Sequence, residues 1–120
     1  MVMTNAGLNE IRDWLGSIVG ATAPSHINVG DSDTSPTRDD TALTNELLVK
    51  AINLTDATLD KEVSFTMNIR PSELIGDNLR EVGITNATTG GDLFTHSTHA
   101  VIAKTSNIEV IYQLKIKMVN

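Results

Sequence analysis

The chain has 120 residues, with 9 Lys and Arg against 15 Asp and Glu and a formal net charge of -6. That length fits a single domain, 1–120, burying roughly 60–70% of its unfolded surface. The acidic balance argues against a dedicated nucleic-acid binder, which needs clustered cations to neutralise phosphates.

Cysteine is absent, which excludes disulfides, thiol nucleophiles and zinc sites built on Cys. No apolar run nears the ~18 residues of a membrane span. The opening MVMTNAG has no basic region followed by an apolar stretch, so an unprocessed, soluble intracellular product without membrane contact is expected. Aromatics are 3% of the chain (Trp14, Phe65, Phe94 and Tyr112), so the core is expected to be built from Ile, Val, Leu and Met. Thr, Asp and Asn are plentiful and Lys scarce, a mix that suits strands joined by turns. It is equally compatible with a mildly acidic surface and with one adapted to high salt.

In chain order, Thr4 or Asn5 caps a helix predicted over 4–19. Leu8, Ile11, Leu15 and Ile18 form its apolar stripe, Trp14 sits toward the stripe's edge, and Gly16 and Gly20 weaken and stop it. Ala21 to Pro24 is a loop. Ile27 and Val29 alternate with His26 and Asn28 in a short strand ending at Gly30. The run GDSDTSPTRDDT, Gly30 to Thr41, has no large apolar residue and reads as a solvated loop. Asp39 or Asp40 is expected to cap one helical turn over 41–45, and Leu47 to Leu54 returns as a strand.

The second half is read as β. Val63, Phe65, Met67 and Ile69 alternate with Glu62, Ser64, Thr66 and Asn68 until Pro71, which cannot donate to a ladder. Leu79 to Ile84 is a strand, and Asn86 to Asp92 is a hairpin loop whose paired glycines suit positive φ. Leu93 to His96 and Ala100 to Lys104 follow. In the last strand, Ile108 to Met118, the residues Ile108, Val110, Tyr112, Leu114, Ile116 and Met118 share one face. The expected fold is mainly β, an antiparallel β-sandwich or small barrel over 25–119 preceded by one α-helix.

Chemistry needs a constellation of groups. His96 and His99 are three apart, which in a strand puts them on opposite faces. They and His26 read as exposed polar positions, with metal binding by the pair the lesser alternative. Asp31, Asp33, Asp39 and Asp40 can gather round a hard cation such as calcium, but DSDTSPTRD lacks the glycine and glutamate of an EF-hand loop, and a solvated acidic turn is preferred. There is no G-x-S-x-G elbow and no glycine loop leading from a strand into a helix. Glu62 and Glu109 fall on solvent faces of strands. No enzyme, cofactor or metal site is expected.

Apolar residues where polar ones belong are more informative. Ile111 interrupts the polar face of the last strand, and Trp14 borders the helical stripe. Core or edge packing explains each alone. With the long C-terminal strand they also permit a subunit interface, for which Trp14, Ile18, Ile111 and Tyr112 are the candidates.

The order of the signals adds a resemblance. The segment Ala6-Gly7-Leu8-Asn9-Glu10-Ile11-Arg12-Asp13-Trp14-Leu15 precedes Pro24-Ser25-His26-Ile27-Asn28-Val29-Gly30, then Ser35-Pro36, Asp40-Thr41-Ala42-Leu43 and Asn45-Glu46. Leu79-Arg80-Glu81-Val82-Gly83-Ile84, Gly90-Gly91-Asp92-Leu93-Phe94 and Lys104-Thr105-Ser106 follow before the final strand. Over nearly its whole length the chain resembles small virion structural proteins, tail-fibre or tail-associated, of tailed bacterial and archaeal viruses.

The resemblance implies a non-enzymatic building block or adaptor at a tail, baseplate or fibre attachment site, assembled in the host cytoplasm as a homo-oligomer with other virion proteins. The chain ends directly after the last strand, which argues for an adaptor or anchoring piece over a receptor-binding tip. A capsid decoration or turret base, or a small calcium- or glycan-binding module, are the alternatives.

Overall fold

Period-two alternation dominates the chain, and eight strands and one helix form among the described residues. In order they are β1 (Val2–Met3), α1 (Asn5–Leu15), β2 (His26–Gly30), β3 (Glu46–Ala51), β4 (Leu54–Asp56), β5 (Glu62–Ile69), β6 (Asn78–Thr85), β7 (Leu93–Ala103) and β8 (Val110–Lys117). The structure is a computed structural model that describes residues 1–119. Asn120, the end of the expected domain, lies outside the described residues. All strand pairs are antiparallel, in a five-stranded sheet ordered β1-β7-β6-β2-β3 and a three-stranded sheet ordered β4-β5-β8. The fold is the expected β-sandwich with one N-terminal helix.

The core lies between the sheets. Ile27, Val29, Val82 and Ile84 come from β2 and β6, and Phe65, Met67, Ile69 and Tyr112 come from β5 and β8. Each such side chain, fully buried, contributes about 1.5–3 kcal/mol. Leu79 and Val82 both face inward although three apart, because the alternation breaks at a register shift where the two steps from Leu79 to Glu81 on β6 face four, Ile102 to Thr98, on β7. β5 and β8 pair without interruption from Glu62↔Lys117 to Ile69↔Val110. Val110, Tyr112, Leu114 and Ile116 pack inward as predicted, while Ile108 and Met118 fall outside the strand.

Five expectations change. The helix ends at Leu15, short of residue 19, because Ser17 takes a positive φ of 53° and the last amide bonds fold back onto Arg12, Asp13 and Trp14. The sheet reaches forward of residue 25, since Val2 and Met3 pair with His96 and Thr95. No helical turn forms over 41–45, where the backbone amides bond a buried carboxylate instead. The strand expected over 47–54 is cut by a change of sheet. Ile52 N–H donates to Ser25 O, whereas Asn53 N–H donates to Thr66 O of the opposite sheet. The segments 93–96 and 100–104 join into the single strand β7.

Candidate functional site

Two features stand out: a buried polar cluster that holds the acidic loop, and an apolar surface around α1. The first lies on the face of the five-stranded sheet turned away from the core. The register Gly30↔Glu81 and Gly83↔His96 brings Glu81 and His96 side by side there. Segment 31–45 crosses this face. The Glu81 carboxylate accepts the backbone N–H groups of Ser32 (3.1 Å), Thr44 (2.9 Å) and Asn45 (2.9 Å), and its Oε1 is 2.9 Å from His96 Nε2. Gly30 makes room for it, since a Cβ there would meet Glu81 Oε2 at 2.5 Å.

His96, 1% exposed, has its other nitrogen, Nδ1, 2.7 Å from Asp40 Oδ2. In its imidazolium form the ring donates to both carboxylates at once. Asp40 also accepts from the N–H and hydroxyl of Thr37, each at 2.8 Å. The Thr37 N–H, aided by His96, holds the Asp40 carboxyl below its ordinary value. Leu43, the loop's buried apolar residue, lies over Gly83. The cluster ties three backbone donors and one carboxylate of the loop to the sheet, and both His96 nitrogens are committed to carboxylates. It pins the loop; it does not present a reactive group to solvent.

The other sequence-derived candidates are spread out. His96 is enclosed, contrary to the exposed position expected of it, because the loop closes over it. His96 and His99 do point to opposite sides of β7. His99 Nε2 lies 2.8 Å from the Tyr112 hydroxyl and its Nδ1 2.7 Å from Ala100 O. His26 bridges Ser25 Oγ (2.7 Å) and Thr88 Oγ1 (3.1 Å).

The four aspartates go separate ways. Asp31 accepts from the Asn45 amide, Asp33 lies 3.8 Å from Arg80, Asp39 accepts from the Asn5 amide, and Asp40 holds His96. Glu109 accepts from the Asn68 amide at 3.1 Å, and Glu62 lies 3.8 Å from Lys115.

The apolar surface has a local cause. Thr4 caps α1, accepting Gly7 N–H at 3.0 Å, while its hydroxyl donates to Leu93 O and its own N–H donates to Phe94 O. Gly7 lies so close to β7 that a Cβ would stand 2.6 Å from Phe94 Cα. The helix therefore docks through its first turn, and Gly7 is its buried residue. Most of the expected apolar stripe is turned out: Leu8 is 51% exposed, Leu15 85% and Ile18, beyond the helix end, 56%, with Trp14 at 48% and Val19 at 99%.

Between α1 and the three-stranded sheet runs an apolar cleft of about 340 Å³. Its walls include Ile11, Trp14, Pro24, Val63, Ile116 and Met118, and Phe65 and Phe94 also line it. Ile111 is exposed on the outer face of β8. Tyr112, the fourth interface candidate, lies in the core instead, because its position in β8 points inward. Burial pushes the Tyr112 phenol up to about 12.

Sequence reasoning missed Glu81 as the centre of the loop's attachment. The available signal was an acid inside the short strand Leu79 to Ile84, two residues before a glycine on the same face. It also missed Lys104, which is buried and donates from Nζ to Pro71 O (3.1 Å) and Thr105 O (2.9 Å), fastening the turn after β7. Isolated lysines are seldom so enclosed. No protein-family model matches the chain, and no curated protein is similar enough to count as a relative.

Proposed function

We propose that this chain is a non-enzymatic virion structural protein, a repeated building block or adaptor at the tail, baseplate or fibre attachment site of a tailed virus. The observation that carries the reading is the exposed apolar group formed by Leu8, Trp14 and Leu15 of α1 with Ile18 and Val19 of the turn that follows it, beside the apolar cleft. Exposed apolar surface of this extent, bordered by polar residues, is characteristic of protein contact surfaces. The ordered motifs along nearly the whole chain support the class of protein, and the pinned loop and uninterrupted β5–β8 ladder support a rigid body suited to repeated docking.

The test is mass spectrometry and electron microscopy of purified particles. The expected result is many copies of the chain at a tail position. A chain that is absent from particles, and strictly monomeric at high concentration, overturns the reading.

A further inference from the structure

β8 is the longest strand lying at an edge of either sheet. The other edges are β1, β3 and β4, which span Val2–Met3, Glu46–Ala51 and Leu54–Asp56. β3 is further guarded by Lys50, which bonds Glu73 at 2.8 Å and Asn68 O at 2.8 Å. β8 is paired on one side by β5, and among the described residues no strand pairs with its other side. Val110, Leu114 and Ile116 pack against the core yet stay only half-buried, as expected of a sheet that stops one strand early.

We infer that the free edge of β8 pairs antiparallel with β8 of a second copy about a two-fold axis at Gln113, joining the two three-stranded sheets into one. The inference rests on the reading of the chain as a repeated building block and names its partner as another copy of this chain. The register follows from side-chain direction and charge. Antiparallel partners share a face, so the axis must pass through a residue and not between two. The two registers of longest overlap centre on Gln113 or Leu114.

Centred on Gln113, Glu109, the residue just before β8, stands opposite Lys117 at both ends and Ile111 opposite the aliphatic stem of Lys115, while Val110 meets Ile116 and Tyr112 meets Leu114 across the core face. Centred on Leu114, Lys115 and Lys117 face Gln113 and Ile111 with no acid opposite. Opposite charges in facing positions favour the first register. Edge lysines that deter pairing with arbitrary strands thereby become part of what selects this one.

The chain has no cysteine, so Gln113→Cys supplies a single thiol on an exposed position at the axis. Mild oxidation is expected to yield a covalent dimer, because facing Cβ atoms lie within or just beyond disulfide reach. In sedimentation, Lys117→Glu is expected to weaken the dimer about tenfold, since two attractive pairs become repulsive. Glu109→Lys combined with Lys117→Glu is expected to restore it, with circular dichroism showing each variant folded.

A dimer that neither crosslinks at residue 113 nor responds to the charge changes overturns the edge pairing and leaves the building-block reading standing. A monomer that is still found in particles does the same. A monomer absent from particles overturns both.

Discussion

Glu81→Gln is the sharpest probe of how the loop is held. The carboxylate faces four groups: Oε2 receives the N–H groups of Ser32 and Asn45, and Oε1 receives that of Thr44 and faces His96 Nε2. Glutamine has the same shape, but whichever way its amide turns, its NH₂ opposes at least one backbone N–H. One orphaned buried donor costs about 1–3 kcal/mol, and the remaining bonds lose their charge-assisted strength. Removing one member of a buried charged group typically costs about 3–5 kcal/mol, and the glutamine retains part of the bonding, so a loss of about 3 kcal/mol is expected.

Against the 5–15 kcal/mol of a typical domain that is a large share, and urea denaturation read by circular dichroism measures it. Because the lost bonds belong to the loop, hydrogen exchange at Ser32, Thr44 and Asn45 should accelerate before exchange in β5 and β8 does. A loss under about 1 kcal/mol with unchanged exchange at those three amides refutes the view that Glu81 pins the loop.

Three further outcomes are expected. The Asp40 carboxyl is held low chiefly by Thr37 N–H and also by His96, so its stabilisation is present above the unfolded value and is lost as pH falls through the lower folded value. Amides of segment 31–45 should lose exchange protection in acid before those of the sheets, an order that Asp40→Asn should abolish; simultaneous loss in the native chain refutes this. Tyr112 is the chain's single tyrosine. Burial raises its phenol to about 12, so its stabilisation is complete below the unfolded value of about 10 and is lost as pH rises through the folded one. Tyrosinate absorbance should show a midpoint well above that of a free phenol, and a midpoint near the free value contradicts the burial. The Thr95 hydroxyl is buried with no hydrogen-bond partner among the described residues, so Thr95→Val should raise stability by about 1 kcal/mol, read as a higher melting temperature; a lower one refutes the assignment.

What the sequence made legible follows the range of the interactions involved. Alternation at Glu62 to Ile69 and at Val110 to Lys117 is local, and both strands form with the predicted inward residues. The hairpin loop from Asn86 to Asp92 was equally readable, since Gly90 takes a φ of 69° and Asn86 Oδ1 accepts Asp92 N–H within the loop itself.

What failed depended on distant partners. The change of sheet at Ile52 and Asn53 is decided by Ser25 and Thr66. The site was less legible than the fold for the same reason. Glu81, His96 and Asp40 come from β6, β7 and the loop, and no spacing along the chain joins them.

The helix shows how a local reading leaves placement open. Of the expected stripe, Leu8, Ile11 and Leu15 do lie on α1 while Ile18 falls beyond its end, and a stripe normally faces the protein's own core. Here the docking is taken by Gly7 against Phe94 and by Thr4 bonding the β7 backbone. That attachment points Leu8 and Leu15 into solvent and leaves Ile11 and Trp14 along the cleft. An amphipathic helix held by a glycine contact rather than by its apolar face has that face free for a neighbouring subunit. On the proposed reading the apolar residues of the helix and the β8 edge serve as separate contact surfaces on one body, the edge for an identical partner and the helix for a further neighbour. A subunit with one self-complementary contact and one additional contact can form closed symmetric assemblies attached to something else, which is what an adaptor in a virion requires.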